Sequence, residues 1–527
     1  MFHSTLSRTR ASHPPAARLR SALAALCITP AAALAAAIPA PPQGFDSSYV
    51  APKGTVIPVA AGGNLQAALI AAQPGQTIVL QAGATFRGPF WLPNKAGTGW
   101  IYVVSSHLSN LPPPGTRVSP ANAAYMPKIL APNSQNSLHS VANSHHFRFV
   151  GIEFAPAPGT TQIYAVVAIG NSDSSPATLA HHIVFDRCYV HGTPNENVRR
   201  GIEMDGAYVA VVDSYISGFQ DGAVAADSQG LWAYNTTGPL QIRNNYIEAA
   251  TENVLFGGAD SRAATLVPTS IEIQNNHFYK PLSLIASNYA VKNLLEFKAA
   301  RRVWVAGNIF ENNPAKSNAG FVLGITPRNQ GGKAPWSVTS DIAIVGNTFI
   351  NVGSGFNIMG RDYTYPSQLT ERVLIRDNIV GVSGLNGADG RAFQFIDGGS
   401  DYIVDHNTLI NTAPAPDPDV AMVDSNPKIS NFVFTNNLAT HTAYGFSGAS
   451  VGEGTRALNT YFTYWTFSKN VLVGRPAGNY PAGNFFPATA AAVRFVNYVG
   501  GDYALAAGSP YKNAGTDGTD IGASYPP

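Results

Sequence analysis

The sequence predicts an all-β solenoid, and three observations lead to this fold class. Charged residues make up only 12% of the 527 residues, while 50 Gly and 38 Pro supply turns, a composition typical of short strands joined by tight bends. The apolar segments alternate with polar residues and lack the 3.6-residue period of helices. One pattern of strand, bend and apolar pair returns ten times along the chain, which indicates a repeat array and not a row of separate domains.

The first 37 residues are predicted to be a secretory signal peptide. Four arginines stand within residues 1–20, and an apolar stretch containing Cys27 ends at the cleavage site Ala33-Leu34-Ala35. The apolar stretch is short for a membrane span. We therefore expect secretion to the periplasm or the medium, with no integral membrane segment after cleavage.

The mature chain is nearly neutral. Removal of the four arginines from 33 basic residues leaves 29, against 31 acidic residues. This balance excludes the basic surface that nucleic acid binding requires, and no phosphate-binding glycine loop indicates a nucleotide. Cys188 then remains as a single cysteine, so no internal disulfide can form. We expect a monomer.

The repeat is aligned on the residue that precedes each apolar pair, with steps of 26 to 39 residues. The aligned positions are Ile152, Cys188, Ser214, Asn245, Asn276, Asn308, Asn347, Asn378, Asn407 and Asn437. Asparagine tolerates the left-handed conformation of a tight bend, and its amide bonds neighbouring backbone. We expect these asparagines to adopt that conformation and to stack on successive coils as a ladder.

A second strand follows each bend, as in "GIEMDG" (201–206), "NVLFGG" (253–258) and "NLLEFK" (293–298). Coils of about 30 residues with two or three short strands predict a right-handed parallel β-helix. It is expected over residues 56–527 including both end caps, after a linker at 38–55. The segment 63–83 contains an amphipathic helix that is expected to cap the first coil.

Several segments carry a family resemblance. "NNYIEAATENVLFGGAD", "VKNLLEFKAARRVWVAGNIFENN" and "ITPRNQGGKAPWS" resemble the secreted bacterial right-handed β-helix proteins of the pectate-lyase superfamily, and the resemblance covers most of residues 56–525. It implies this fold and a carbohydrate ligand, a polysaccharide or oligosaccharide. The N-T-D, G-H-G and R-I-K motifs of polygalacturonases and the D-P-H motif of alginate epimerases are absent.

Strand alternation predicts a polar strip on the outer face. Its expected members are Glu203, Asp205, Asp227, Glu252, Glu296 and Lys298, bordered by Arg328, Lys333, Arg361 and Asp397. The inward partners are expected to form one core. These are Ile202, Met204, Val254, Phe256, Leu295, Phe297, Phe393 and Phe395.

Three functions could use such a strip, and the sequence favours the first, a polysaccharide lyase, over the other two. A lyase of uronate-containing polysaccharide would hold Ca²⁺ on Glu203, Asp205 and Asp227 and use Lys298 as base, with Glu296 and Arg328 beside it. Glu296 and Lys298 are similar to the acidic and lysine positions of chondroitinase-B and alginate-lyase type enzymes. A glycoside hydrolase would use two carboxyls, and a surface protein would only bind glycan. The predicted substrate-binding set is Glu203, Asp205, Asp227, Glu252, Arg361 and Asp397.

Two histidine pairs stand at the same offset from the repeat position. His145-His146 precede Ile152 as His181-His182 precede Cys188. We expect the pairs to stack on adjacent coils. Two interpretations remain open, a polar stack without metal and a transition-metal site.

Overall fold

The computed structural model describes residues 36–170, 173–194, 196–222, 226–412, 418–440 and 443–524. The predicted signal peptide, apart from residues 36 and 37, lies outside these ranges. Three long sheets run through the described residues, and within each sheet nearly all neighbouring strands are parallel and come from successive coils. The prediction of an all-β parallel solenoid is confirmed.

Each coil contributes one strand to each sheet, in the order A, B, C. Sheet A comprises Val56–Val59, Thr77–Leu80, Ile101–Ser105, His145–Val150, His181–Asp186, Ala207–Val212, Leu240–Arg243, Thr269–Gln274, Ala300–Ala306, Thr339–Val345, Glu371–Arg376, Ser400–Asp405, Ile429–Thr435 and Phe462–Ser468. Sheet B comprises Thr85–Arg87, Lys128–Ala131, Glu153–Pro156, Tyr189–His191, Tyr215–Phe219, Tyr246–Ala249, His277–Tyr279, Ile309–Asn313, Thr348–Val352, Ile379–Val382, Thr408–Asn411, Leu438–Ala439 and Val471–Leu472. Sheet C comprises Phe90–Leu92, Leu138–Ser140, Val167–Ile169, Arg200–Met204, Gln229–Ala233, Glu252–Phe256, Leu295–Phe297, Phe321–Ile325, Ser354–Met359, Phe393–Ile396, Ala421–Asp424, Phe446–Gly448 and Gly452–Glu453.

The remaining elements are short. Two small sheets pair Gln162–Ile163 with Asn197–Val198 and Phe495–Asn497 with Asp502–Leu505. Within the described residues, the α-helices are α1 (Leu65–Ala71) and α2 (Thr455–Tyr461), and the 3₁₀ helices are Leu108–Asn110, Pro120–Tyr125, Pro176–Thr178, Ala264–Leu266, Leu282–Ala286, Ala477–Asn479 and Ala490–Val493. No helix in the described ranges has the length and apolar character needed to cross a membrane.

Helix α1 follows the first strand of sheet A. Asn64 caps it by accepting a hydrogen bond from the backbone N–H of Ala67 at 2.9 Å. Its apolar side, Leu65, Ala68 and Leu69, is buried in the same core as the coils.

The core runs along the whole solenoid interior. All eight residues predicted to point inward from sheet C are 0% or 1% exposed, so the predicted alternation and register are confirmed. Phenylalanines from successive coils stack on one another, as Phe278, Phe310 and Phe349 do at ring distances of 4.5 and 4.7 Å. Because equivalent residues stack at strand spacing, each coil buries the apolar face of the one before it.

The predicted asparagine ladder lies between sheets A and B. The side-chain oxygen of Asn276 accepts hydrogen bonds from the backbone N–H and the side-chain amide of Asn245, at 2.8 and 3.0 Å. The same contacts repeat from Asn276 onward through Asn308, Asn347, Asn378, Asn407, Asn437, Asn470 and Asn484. The ladder prediction is confirmed, and the ladder continues two asparagines further than expected, to Asn470 on the next coil and Asn484 in the loop after it.

The conformational part of that prediction is wrong. The left-handed residue is the one before the ladder position, and its φ lies between 51° and 65°. These residues are Asn244, Asn275, Gly307, Gly346, Asp377, His406 and Asn436. The ladder asparagines of the described chain keep negative φ because their side chains must point inward along the solenoid to reach the next coil.

An N-terminal segment, residues 36–50, runs along the outside of sheet A. It includes most of the stretch 38–55, which the sequence predicts to be a linker. The backbone N–H groups of Ala37 and Ala40 donate to Asp401 and Asp341. Further along, the backbone N–H of Gln43 donates to Ser270. Side chains of sheet A also donate to backbone carbonyls of the segment: Gln241 to Phe45, Arg148 to Ser47 and Ser48, and Tyr102 to Val50. The segment therefore crosses the sheet from its twelfth strand to its third.

The histidine pairs open two neighbouring strands of sheet A and stack as predicted. His145 lies 4.8 Å from His181, and His146 lies 4.5 Å from His182, with ring planes within 5° of parallel. Burial, strengthened by the neighbouring imidazoles, lowers the pKa of both His146 and His182 to about 4. These imidazoles are therefore neutral at neutral pH.

Candidate functional site

The outer face of sheet C carries a cleft near the start of the solenoid. Trp91, His139, Ala168, Glu203 and Trp232 face one another in register on five successive coils. The cleft has a volume of about 430 Å³, and its lining is Trp91, Asn136, His139, Ser140, Tyr164, Ala168, Gly170, Glu203, Trp232 and Tyr234. Ala168 lies between two larger residues, so its short side chain gives the cleft its depth.

Arg200 lies against the cleft between two aromatic rings. Its guanidinium carbon is 3.7 Å from the centre of the Trp232 ring and 4.4 Å from that of Tyr164. The residue is 4% exposed, and its Nε and Nη1 have no hydrogen-bond partner among the described residues. A buried cation without an ion pair is costly. Its charge therefore remains available to an anion bound in the cleft.

Glu203 and Asp205 form a pair of interacting carboxyls. The Oδ2 of Asp205 is buried and has no hydrogen-bond partner among the described residues. Burial raises the pKa of both groups, and repulsion from Glu203 raises that of Asp205 further. Two interacting buried carboxyls disfavour ionisation of both at once, and such a pair titrates as one unit.

The local backbone holds Asp205 in this position. Its Oδ1 accepts hydrogen bonds from the N–H groups of Tyr234 and Asn235, at 2.8 and 3.0 Å. Gly170 packs on its other side with φ of +105°, and a Cβ there would lie 2.7 Å from the Asp205 Cβ. Glu203 is the partner that lines the cleft, so it is the carboxyl of the pair that can transfer a proton to a ligand.

His139 faces Glu203 across Ala168. Its Nε2 is buried and has no partner in the described part of the chain, and the Trp91 ring packs edge-on against its imidazole. Burial lowers the pKa of His139. The imidazole is therefore neutral near neutral pH and can accept a proton.

A second polar group, the Lys292 cluster, lies beside the cleft and consists of Asp227, Gln229, Glu252 and Lys292. The Nζ of Lys292 is 2.7 and 2.8 Å from the two Asp227 oxygens and 4.0 Å from Glu252, and Gln229 donates to Glu252 at 2.7 Å. Burial, followed by repulsion from Asp227 and Glu296, raises the pKa of Glu252 to about 7. The structure thus places two predicted residues here, with a lysine that sequence reasoning did not select.

Glu296 and Lys298 are neighbours on one coil, three coils from Glu203. Trp232 and Leu255 stand between Glu203 and Glu296 in the same outward row. The Lys298 ammonium is 3.5 Å from Glu296, which also accepts a hydrogen bond from Thr326 at 2.8 Å. The carboxylates Glu296, Glu252 and Asp227 outweigh the opposing effect of burial and raise the pKa of Lys298. The raised pKa keeps this lysine protonated, which opposes a role as base.

The remaining predicted residues lie further along sheet C. Arg328 pairs with Asp362 at 3.4 Å. Burial and the nearby Asp424 raise the pKa of Asp397, against the attraction of Arg328. Arg361 is half-buried and follows the strand Ser354–Met359, beyond the cleft. The predicted strip is thus one face of the solenoid, but its members form separate clusters.

Comparison with known proteins gives structural matches alone. No family model and no curated sequence matches this chain. The structure titled PL6 family alginate lyase AlyGC matches with a TM-score of 0.51 and 14% identity, over 90% of this chain and 59% of that chain. Pectate lyase Pel9A matches with a TM-score of 0.37 and 14% identity, over 90% and 97%. The GH87 α-1,3-glucanase catalytic unit from Streptomyces thermodiastaticus strain HF3-3 matches with a TM-score of 0.48 and 13% identity, over 84% and 71%.

The fold is a right-handed parallel β-helix. The chain spans 59% of the length of the alginate lyase it matches. At 14% identity this likeness shows the fold alone.

The carboxylates predicted to hold calcium in this β-helix do not fit that ion. Ca²⁺ takes six to eight oxygen ligands, but Asp205 already accepts two N–H groups, and both oxygens of Asp227 contact Lys292. Among the described residues, the ligand atoms of Glu203, Asp205 and Asp227 do not gather within 4.8 Å of one another. We derive no step through calcium.

Sequence reasoning did not select four residues of the cleft: His139, Tyr164, Arg200 and Trp232. His139 and Trp232 lie in the same outward row as Glu203, so alternation along "LHS" and "GLWA" could have found them. Tyr164 lies on a loop, and the Arg200 guanidinium packs between the rings of Tyr164 and Trp232. Strand alternation predicts neither position.

Proposed function

We propose that this β-helix is a lyase that cleaves uronate-containing polysaccharide by β-elimination in the cleft of sheet C. The observation that supports this most directly is the combination of an unpaired cation, a neutral imidazole and a proton-holding carboxyl pair around Ala168. β-Elimination at a uronate needs three functions, namely neutralisation of the carboxylate, a base for the C5 proton and an acid for the leaving oxygen.

Arg200 serves the first function. Its charge has no ion-pair partner among the described residues, and Trp232 and Tyr164 fix its plane. A uronate carboxylate bound beside Tyr164 compensates that charge, and its neutralisation acidifies the C5–H bond. The exposed rings of Trp91 and Tyr164, 49% and 51% exposed, offer apolar surfaces on which sugar rings can stack.

His139 and Glu203 serve the other two functions. The Nε2 of His139 accepts the C5 proton, the C–H electron pair forms the C4–C5 double bond, and the bond from C4 to the glycosidic oxygen breaks. Glu203 supplies its proton to that oxygen, and exchange with solvent restores both groups. A lowered pKa keeps the base unprotonated and a raised pKa keeps the acid protonated, as the burial of these groups provides.

The carboxyl pair is less suited to glycoside hydrolysis. Retaining and inverting hydrolases need about 5–5.5 Å or 6.5–9.5 Å between their carboxyls to admit the anomeric carbon or a water. Asp205 is buried, its Oδ1 accepts from two backbone N–H groups and it does not line the cleft, so it does not face a bound sugar opposite Glu203. Export of the protein, as the predicted signal peptide implies, would bring it to polysaccharide outside the cell.

A substrate screen tests the reaction. Purified protein is incubated with alginate, polygalacturonate, glucuronan and glycosaminoglycans, with neutral glucans as controls. We expect near-ultraviolet absorbance from an unsaturated uronate on one of the polyuronates. New reducing ends without that absorbance would indicate hydrolysis, and oligosaccharide binding without cleavage would indicate a binding protein; either result overturns the lyase assignment.

Variants test the residues. On the cleaved substrate, His139→Gln and Glu203→Gln should each lower kcat/KM by about 10²–10⁴, with the melting temperature nearly kept. Lys298→Met serves as the matched control, because its ion pair with Glu296 lies outside the cleft. Loss of turnover in Lys298→Met with full activity in His139→Gln would assign the base to Lys298 instead.

A further inference from the structure

Two consecutive arginines, Arg199 and Arg200, pack on one tyrosine that lines the cleft, Tyr164. The guanidinium carbon of Arg199 lies 5.3 Å from the centre of the Tyr164 ring, and that of Arg200 lies 4.4 Å from it. The proposed elimination uses Arg200 to neutralise the uronate that reacts. It gives no task to Arg199, although this second cation stands at the same ring.

Different partners on the following coil hold the two guanidinium groups. The Nε of Arg199 donates to the backbone carbonyl of Asp227 at 3.0 Å, whereas the guanidinium of Arg200 lies 3.7 Å from the centre of the Trp232 ring. Asp227 precedes the strand Gln229–Ala233, and Trp232 stands near the far end of that strand. The two cations therefore occupy two positions beside Tyr164 and do not share one.

The charge of Arg199, like that of Arg200, is not neutralised by an ion pair within the described ranges. The nearest acidic residue in its contacts, Asp227, offers it only a backbone carbonyl, because both carboxylate oxygens of Asp227 contact Lys292. Burial lowers the pKa of Arg200, and repulsion from Arg199 lowers it further. Two like charges held this close disfavour each other, so the pair is suited to take up two negative charges.

We propose that Arg199 binds the carboxylate of the sugar next to the one that Arg200 holds, so that the cleft selects chains with two uronates in succession. This inference rests on the proposed function, which places the reacting uronate on Arg200. The Nε of Arg199 is already bonded to Asp227, and its two terminal nitrogens remain to donate to a carboxylate, an interaction stronger than a neutral hydrogen bond. A polymer in which uronates alternate with neutral sugars satisfies only one of the two arginines.

Calorimetric binding to the E203Q variant tests this role without turnover. The probes are tetramers of galacturonate, mannuronate and glucuronate, and the same tetramers with alternate carboxyls blocked as methyl esters. In this background, Arg199→Gln should weaken binding of the tightest fully acidic tetramer by about 10-fold or more, as expected for loss of a hydrogen bond to a charged group. It should leave binding of the alternating ester unchanged, whereas Arg200→Gln should weaken both.

Two further variants serve as controls. Arg87→Gln removes the same charge from an exposed position on sheet B and should change neither affinity. Arg199→Lys keeps the charge but loses the paired donors, so it should recover part of the affinity for the acidic tetramer. On a cleaved polyuronate, Arg199→Gln should raise KM and leave kcat nearly unchanged, because the reacting sugar stays on Arg200.

The outcomes separate this inference from the proposed reaction. Equal weakening of both kinds of tetramer by Arg199→Gln would show that the two arginines hold one carboxylate, and no weakening would show that Arg199 holds none. Either result overturns the inference, even if the wild type releases unsaturated product and the lyase assignment stands. The expected binding differences without any unsaturated product would support the two-carboxylate site and reject elimination.

Discussion

Glu203 and His139 face each other across a single alanine, and burial shifts their pKa values in opposite directions. Burial raises that of the carboxyl and lowers that of the imidazole, because in both cases it disfavours the charged form. One environment thus prepares an acid and a base. The proposed chemistry depends on this difference between two neighbouring residues.

The pH dependence of activity follows from these shifts. Activity needs His139 unprotonated, so it should fall only as pH drops through a pKa below the ordinary 6.5. It also needs the carboxyl pair protonated, so it should fall again as pH rises through the raised pKa of the pair. We expect a bell-shaped profile of kcat/KM. Activity that instead keeps rising into the alkaline range would indicate Lys298, whose pKa is raised, as the base.

At the level of strands and bends, the asparagine ladder fixes each coil to the next. Asn347 accepts hydrogen bonds from the backbone and amide of Asn308 and donates to Val305 and Asn378. Asn347→Ala leaves several of these buried groups unpaired. It should lower the free energy of unfolding by about 3 kcal/mol, since each unpaired buried group costs roughly 1–3 kcal/mol.

Denaturant unfolding measures this change. Asn459→Ala is the control, because that side chain is exposed on helix α2 and alanine favours helix. A loss in Asn347→Ala no larger than in the control would mean that the ladder does not stabilise the fold.

The aromatic stack inside the coils gives a second element-scale prediction. Phe297 is 0% exposed and stacks on Phe256 at 5.6 Å. Phe297→Ala should cost about 3–5 kcal/mol, as large aromatic truncations do. Ile309→Ala, on the outer side of the sheet B strand Ile309–Asn313 with Ile309 39% exposed, should cost much less when both variants are compared by thermal unfolding. Similar losses in the two would contradict the burial of Phe297.

Alternation and the repeat predicted the elements well, because both are imposed by the geometry of every coil. The inward Phe297 and the outward Glu296 follow from one rule. The left-handed bend residue was assigned to the wrong neighbour because it varies among Asn, Gly, Asp and His, while the ladder residue repeats. The division of the polar strip into separate clusters could not be predicted from the sequence. Lys292 contacts Asp227 from one loop, and Tyr164 packs on Arg200 from another.

On the scale of the whole molecule, residues 36–50 should stabilise the solenoid without affecting its chemistry. Arg148 donates to the carbonyls of Ser47 and Ser48, and the Tyr49 ring lies 5.4 Å from its guanidinium. A variant without residues 36–50 should melt several degrees lower, because sheet A loses these contacts. Its kcat on a cleaved polysaccharide should be unchanged, because the cleft lies on sheet C. An unchanged melting temperature would show that the segment is not held on the sheet.

The position of this segment also sets an order of events during folding. Its first described contact joins Ala37 to Asp401, 364 residues away, whereas successive coils pair over about 30 residues. A chain that emerges from its N-terminus makes this segment before any coil, yet its binding surface is complete only after the twelfth strand of sheet A has formed. A stretch that is synthesised early therefore completes its docking only after twelve strands of the sheet have formed, and its docking indicates that the coils beneath it are in register.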